Sequence, residues 1–145
     1  MVSVQVLNQK NAELCIELDA NSINLWNKKQ WLSEFNKKGV IVLAISLSNN
    51  VVGACVFQVV GDEAQVHYFS IHPKFRRNGY GSMMMHNIIK RCEKLNLKKI
   101  LLEVSESNLI AEKFYFNFDF ITVGKRNKYY KDGSNAILKE KKLIK

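Results

Sequence analysis

Arg76-Arg77-Asn78-Gly79-Tyr80-Gly81, running straight into Ser82-Met83-Met84-Met85-His86, is the stretch on which the fold of this chain turns. From Ser82 to Leu95 the apolar residues Met84, Ile88, Cys92 and Leu95 recur at helical spacing, with Met85 and Ile89 beside them. That pattern predicts an amphipathic helix closed by Asn96. Ahead of the loop, Ala64–Ile71 reads as a strand that ends at His72-Pro73. The loop therefore joins a strand to a helix whose first four N–H groups have no intrahelical partner. Those donors and the positive end of the helix dipole make an anion site. Two glycines allow φ > 0 and close approach of a ligand, and Arg76 and Arg77 add charge. Such a cradle suits a pyrophosphate. A Walker loop is excluded because Ser82-Met83 follows Gly81, and a dinucleotide fingerprint because position 84 is Met84. On the loop alone, a glycine-rich turn with solvated arginines stays open.

Working outward, Lys99–Val104 is a strand entered after the helix, so strand, loop, helix and strand form a right-handed parallel unit. Upstream, Val40–Leu47 and Val51–Val60 are β-rich runs separated by Ser48-Asn49-Asn50, and Gly61-Asp62 turns the chain into Ala64–Ile71. Such short connections make these strands antiparallel neighbours. Val2–Leu7 reads as a first strand. Lys10–Asp19 follows as a helix carrying Leu14, Cys15 and Leu18. A second helix has Asn27 as N-cap, the stripe Trp31, Leu32 and Phe35, and Gly39 as its stop. Downstream, Leu109–Phe116 is a short helix, and Phe120–Tyr130 and Asn135–Leu143 are strands joined through Lys131-Asp132-Gly133. The expectation is one mixed α/β (α+β) domain over residues 1–145.

Composition narrows the function. The chain has 145 residues, 47% of them hydrophobic, which supports a real core and argues against disorder. No apolar run approaches the roughly 20 residues of a membrane span. Met1–Lys10 lacks a signal-peptide pattern, so the expected compartment is the cytoplasm. Cys15, Cys55 and Cys92 are far apart and share no ligand spacing with His67, His72 or His86. Buried free thiols are expected, and no metal. The net charge of +9 favours anionic partners and is densest at Lys74–Arg77, Lys90–Lys99 and Lys125–Lys145. A nucleic-acid-binding module would gather such charge on one reading element, whereas these lysines are spread.

The motif Arg-x-x-Gly-x-Gly between a strand and a helix resembles the acetyl-CoA-binding motif of the GNAT acetyltransferase superfamily. Leu101-Leu102-Glu103-Val104, Ser107-Asn108, Ala111, Phe114-Tyr115 and Phe120 follow at family-like spacing. With Lys128-Tyr129-Tyr130, Asp132-Gly133, Asp62-Glu63-Ala64 and Trp26, they resemble the RimI type, which acetylates the N-terminal alanine of a small-subunit ribosomal protein. The resemblance implies the GNAT acyl-CoA N-acyltransferase fold: a mixed, largely antiparallel sheet of about seven strands flanked by about four helices. It implies acetyl-CoA as co-substrate, no metal, and as partner a protein or peptide N-terminus, with a small-molecule amine as the alternative acceptor.

The same resemblance assigns roles. Arg76, Arg77, Asn78, Gly79, Tyr80, Gly81 and Ser82 would hold the pyrophosphate. Phe69, Ser70 and Ile71 would pair by their backbone with the pantetheine arm, which enters a gap between splayed strands. Asn108 would be a cofactor ligand, or simply a helix cap. An α-amine has a pKa near 8, so its deprotonation costs only about 1–2 kcal/mol at neutral pH. A carboxylate suffices, and Glu103 is the candidate base; Tyr115 is the candidate acid for the leaving thiolate. Trp26, Trp31, Tyr129 and Tyr130 would flank the acceptor, the bland reading of the tyrosines being surface strand aromatics. The chain departs from the family at Tyr68-Phe69-Ser70-Ile71, where Asn-Ile-Ala-Val is usual, and at Asp119, where glycine is usual. Bulky Tyr68 and Phe69 predict a narrower acceptor cleft.

Overall fold

The structure, a computed structural model, describes residues 1–143; Ile144 and Lys145, which end the basic Lys125–Lys145 stretch, lie outside the described residues. Its strands are β1 (Val2–Leu7), β2 (Val40–Leu47), β3 (Asn50–Val60), β4 (Glu63–Ile71), β5 (Lys99–Ser105), β6 (Ile121–Arg126) and β7 (Ala136–Lys142). The α-helices are α1 (Ala12–Ala20) and α2 (Lys28–Asn36) after β1, α3 (Tyr80–Lys94) after β4, and α4 (Leu109–Asn117) after β5. One seven-stranded sheet runs in the order β1-β2-β3-β4-β5-β7-β6. Every neighbour is antiparallel except the central pair β4–β5. This is the mixed, mainly antiparallel α/β architecture expected from the sequence.

Local chemistry fixes the connections. Ser48 and Asn49 take φ of 50° and 71° between β2 and β3, the two left-handed residues of a tight hairpin. Asn27 and Gln30 form a reciprocal capping box at the start of α2. Gly39 has φ 81°, and a Cβ there would lie 2.7 Å from the Val59 carbonyl oxygen, so only glycine fits.

Helices cover both faces of the sheet, which is why β2 and β3 read as nearly unbroken apolar runs. On one face Met84, Met85, Ile88 and Cys92 of α3 pack with Phe57, Ile100, Leu102 and Phe120. On the other, Cys15, Leu18 and Trp31 from α1 and α2 pack with Val42, Ala44, Val56 and Tyr68. Each such large side chain contributes roughly 1.5–3 kcal/mol by leaving water. All three cysteines are free and buried. Burial first, and Asp19 second, push the Cys15 thiol up to about 12; burial, then Glu93, pushes Cys92 up to about 11.

Four expectations need correction. The buried stripe of α1 is Ala12, Cys15, Leu18 and Asp19, at i, i+3 spacing, and Leu14 is exposed. Leu95 lies past the end of α3 and is exposed; Leu97 is buried instead. β6 stops at Arg126, because Lys128 takes a left-handed φ of 50° and donates its N–H to Asn135 Oδ1 at 2.8 Å. Helix α3 begins at Tyr80, which places Gly81 inside it.

Candidate active site

The central parallel ladder is short. It pairs Glu63–Gln65 of β4 with Lys99–Leu101 of β5 and goes no further. Beyond it β4 continues against β3, and β5 against β7, so the two strands part. Backbone donors and acceptors on the two facing edges are then left without a ladder, and an amide-bearing ligand can serve them. The register of β3 against β4 jumps from Val56↔Tyr68 to Phe57↔Val66, leaving His67 as the extra residue of a bulge. Phe69 and Ile71 pack toward the α3 core. Tyr68 packs toward α1 and α2.

Residues Arg76–Gly81 form a cradle at the end of β4. The Arg76 Nε donates to the Ile71 carbonyl at 3.1 Å, and Asn78 Nδ2 donates to the Phe75 and Arg76 carbonyls, both at 3.1 Å. These bonds tie the turn to itself through side-chain donors and backbone carbonyls. Arg77 and Gly79 are left-handed, with φ of 64° and 78°. Gly79 is the N-cap of α3; the helix has no side-chain cap and no acidic residue in its first turn. The first closing bond runs from Met83 N–H to the Gly79 carbonyl at 3.0 Å, so the N–H groups of Tyr80, Gly81 and Ser82 find no acceptor within the helix. A Cβ on Gly79 would meet nothing within 4 Å: the space above the donors is open. Donors without acceptors, open space and adjacent arginines fit a pyrophosphate. The two glycines differ, against the expectation that both supply φ > 0. Gly81 is helical, and its missing Cβ would stand 3.4 Å from Phe114 Cε1.

Glu103 and Tyr115 sit on opposite faces of the parted strands. Leu102 and Val104 point into the α3 core, so Glu103 between them faces the α1–α2 side. There it pairs with Arg126 Nε at 3.1 Å. Tyr115, on α4, is buried on the α3 side, with its ring 6.2 Å from Phe69, 5.3 Å from Phe114 and 5.5 Å from Phe120. Burial pushes its phenol well above the ordinary tyrosine range, with smaller contributions from Cys55 and Tyr130. The phenol therefore keeps its proton at neutral pH. Asn108 caps α4 by accepting the Ala111 N–H at 3.1 Å, which leaves its Nδ2 without a cap role.

An acetyltransferase (GNAT) family model matches residues 10–120, most of the chain. The chain belongs to the acetyltransferase (GNAT) family. A [ribosomal protein bS18]-alanine N-acetyltransferase of Haemophilus ducreyi is 28% identical over 117 residues, covering 78% of this chain and 80% of its own length. The ribosomal-protein-S18-alanine N-acetyltransferase of Escherichia coli superposes with a TM-score of 0.94 over 100% of this chain and 96% of that one, at 22% identity. The PaiA N-acetyltransferase of Thermoplasma acidophilum, solved with coenzyme A, gives a TM-score of 0.81 at 15% identity, covering 98% and 99%. As a GNAT enzyme the chain is an acetyl-CoA-dependent N-acetyltransferase. Among the described residues no helix is long and apolar enough to cross a membrane.

The remaining GNAT site residues divide sharply. Trp31 is fully buried, so its indole has no surface to offer a peptide, against the expectation from sequence. Its Nε1 donates to Asp19 Oδ2 at 3.1 Å. Trp26 is half-buried, its ring 4.8 Å from Trp31 and 5.3 Å from Tyr68. Tyr129 is exposed beneath the Arg126 guanidinium at 5.4 Å. Tyr130 is half-buried, and its phenol is raised first by burial, then by Glu103 and Tyr129. Tyr68 is buried and donates its hydroxyl to Asp19 Oδ1 at 3.1 Å. Tyr68 and Phe69 therefore point to opposite faces, and only one could narrow either side. Asp119 has φ 67°, the left-handed geometry that favours glycine and that aspartate tolerates.

Asp19 escaped the sequence reading, and so did the pairing of Arg126, from the hairpin expected on the acceptor side, with Glu103. Asp19 is fully buried and accepts from the Leu25 and Trp26 N–H groups, both at 2.9 Å, as well as from Trp31 and Tyr68. It pins the loop between α1 and α2 to the sheet. A carboxylate following Cys15 and Leu18 on the inward stripe was its only signal. Arg126 is placed beside Glu103 by the β5–β7–β6 order, which no local pattern reveals.

Proposed function

We propose that this acetyltransferase acts on the N-terminal α-amine of a protein, with a ribosomal protein N-terminus as the acceptor class. The single observation that carries the chemistry is the parting of β4 from β5 with Glu103 on one face and Tyr115 on the other. Acetyl transfer moves a proton off the amine where it enters and returns one to the thiolate where it leaves. A base and an acid on opposite faces of one gap suit that path. The relatives named for alanine N-acetylation of bS18 support the acceptor class.

Bound acetyl-CoA supplies an activated thioester carbonyl. The N–H groups of Tyr80, Gly81 and Ser82, with Arg76 and Arg77, hold the pyrophosphate, and Asn78 and Gly79 shape the turn that aims them. The backbone of Phe69, Ser70 and Ile71 aligns the pantetheine arm, and Asn108 Nδ2 adds a contact from the start of α4. Glu103 takes the amine proton directly or through a water. Tyr115 donates its phenolic proton at the departing sulfur and is reprotonated from solvent. Trp26, Tyr129 and Tyr130 line the acceptor side, with Trp31 supporting them from beneath.

The test is thiol release from acetyl-CoA with a panel of alanine-starting peptides, small amines and DNA. Turnover with the peptides is the expected result. Turnover with a small amine and none with any peptide would sink the acceptor assignment.

A further inference from the structure

The face that carries Glu103 holds a second proton acceptor. The bulge in β4 gives His67 and Tyr68 the same destination: His67 reaches Glu34 of α2 and Tyr68 reaches Asp19 of α1. Ala64 and Val66 face the α3 core, so regular pleating turns His67 to the α1–α2 layer, and the bulge lets Tyr68 follow it there. His67 Nδ1 lies 2.7 Å from Glu34 Oε1. A carboxylate only accepts, so Nδ1 carries a proton, and in the neutral ring Nε2 keeps its lone pair. Nε2 has no hydrogen-bond partner among the described residues, and the side chain is 23% exposed, open to water rather than sealed.

Its position matters as much. The last rungs of the β4–β5 ladder are Ala64↔Ile100 and Gln65↔Leu101. His67 and Glu103 each lie two residues past the last rung on their own strand, where the strands separate, and both side chains turn to the α1–α2 side. Glu103 is engaged by Arg126. His67 is engaged by a carboxylate that holds its tautomer and stabilises a positive ring, the arrangement of an oriented general base.

We propose that His67, oriented by Glu34, is the next residue on the proton path: it receives at Nε2, by way of Glu103 or one water, the proton that leaves the acceptor amine. This rests on the acetyl-transfer reading above. The amine N–H bond breaks, the proton passes by way of Glu103 or water to Nε2, the Nδ1 proton stays on the ring in its hydrogen bond to Glu34, and the imidazolium later releases the gained proton to solvent. Glu103 remains the group beside the amine, and its charge also draws the ammonium in. The charged groups at this ring are Glu34 of α2 and Lys37 just past its end, which pair with each other; Glu103 of β5, paired with Arg126 of β6, turns to the same side of the sheet.

The experiment has two independent readouts. Imidazole 15N NMR of the free protein, with the His67 signal assigned by its loss in His67→Gln, reports the tautomer; peptide acetylation across pH 6–9 reports the proton path. The expected results are an Nδ1–H tautomer for His67 and a fall of about 30-fold or more in kcat for His67→Gln. That variant should keep wild-type coenzyme A affinity and thermal transition. Glu34→Gln should also lower kcat, because the imidazole loses the carboxylate that holds its Nδ1–H, with coenzyme A affinity unchanged. An Nε2–H tautomer in the wild type, or a His67→Gln variant within twofold of wild type, overturns the proposal. A loss of rate matched by a loss of coenzyme A binding or of the thermal transition also overturns it, since the role is then structural. Failure of the underlying reading looks different: the wild type itself would release no thiol with any amine.

Discussion

On the α3–α4 face of the parted strands the candidate contacts are backbone groups: the open N–H donors of Tyr80, Gly81 and Ser82, and the freed edge of β4. On the α1–α2 face they are side chains held by other side chains: the Trp26 ring by Trp31 and Tyr68, His67 by Glu34, Glu103 by Arg126. A cofactor that never changes can be gripped by main chain, whose geometry survives most substitutions. An acceptor that differs between relatives needs side chains, and these need anchors elsewhere in the fold. The difference is open to attack from either side.

The largest effect is expected where the two faces meet in the chemistry. Tyr115→Phe removes only an oxygen from a ring already packed by Phe69, Phe114 and Phe120, so folding and coenzyme A affinity should hold. Turnover should fall about 10²–10³-fold, the usual range for a lost general acid. The sign of its pH dependence follows from burial. A raised phenol stays protonated in the folded state above the pH, about 10, at which the unfolded chain begins to ionise. Any stability this group contributes is thus complete at neutral pH and is lost only in strong alkali. The kcat profile should show no alkaline limb from Tyr115 below about pH 10. A limb at pH 8–9 that vanishes in the phenylalanine variant would contradict this.

Next comes the anchor of the acceptor face. Asp19→Asn keeps the shape but turns two acceptor sites into donors, facing two of four buried N–H and O–H groups. Leaving those groups unsatisfied should cost about 2–5 kcal/mol, read as a lower denaturant midpoint. In the folded fraction, KM for the peptide should rise more than KM for acetyl-CoA. Equal changes in both would erase the division between faces.

That division also decides what the sequence could reveal. The strand–loop–helix order and the glycine spacing are local, and together they predicted both the cradle and the sheet around it. Gly79 needs its left-handed φ, and Gly81 its bare Cα, within one helical turn. Asp19 and Tyr68 are far apart in sequence, and only the finished sheet brings them together. Trp31 was misassigned because an aromatic near an expected acceptor loop looks the same whether it faces outward or lies beneath. His67 was weighed only as a metal ligand, since a bulge has no reliable mark in sequence. The left-handed Asp119 shows the opposite case, where an unexpected residue leaves the backbone geometry intact.

A smaller effect separates the conformational need at Gly79 from any contact. Gly79→Ala places a Cβ in open space but at φ 78°, a strain of about 1–2 kcal/mol. Coenzyme A affinity measured by calorimetry should drop roughly tenfold if the turn relaxes to escape it. Gly79→Asn should recover much of the loss, because asparagine tolerates the left-handed region. Equal losses for both variants would mean that space, not conformation, governs the position.

The smallest effect on stability is expected at Gly81, and it is the sharpest test of backbone recognition. The residue is helical, so alanine should gain up to about 1 kcal/mol of helix propensity. Against that gain stands the new Cβ at 3.4 Å from Phe114 Cε1, a contact the ring can absorb by a small shift. The two terms nearly cancel, and the thermal midpoint should move little. Yet the Gly81 N–H belongs to the open donor set, and a Cβ beside it holds a pyrophosphate away from the main chain. Gly81→Ala should therefore weaken coenzyme A binding several-fold with stability almost unchanged. If affinity and stability instead fall together, the glycine serves the packing of α3 on α4, and the cradle reads its ligand through Arg76 and Arg77 rather than through the backbone.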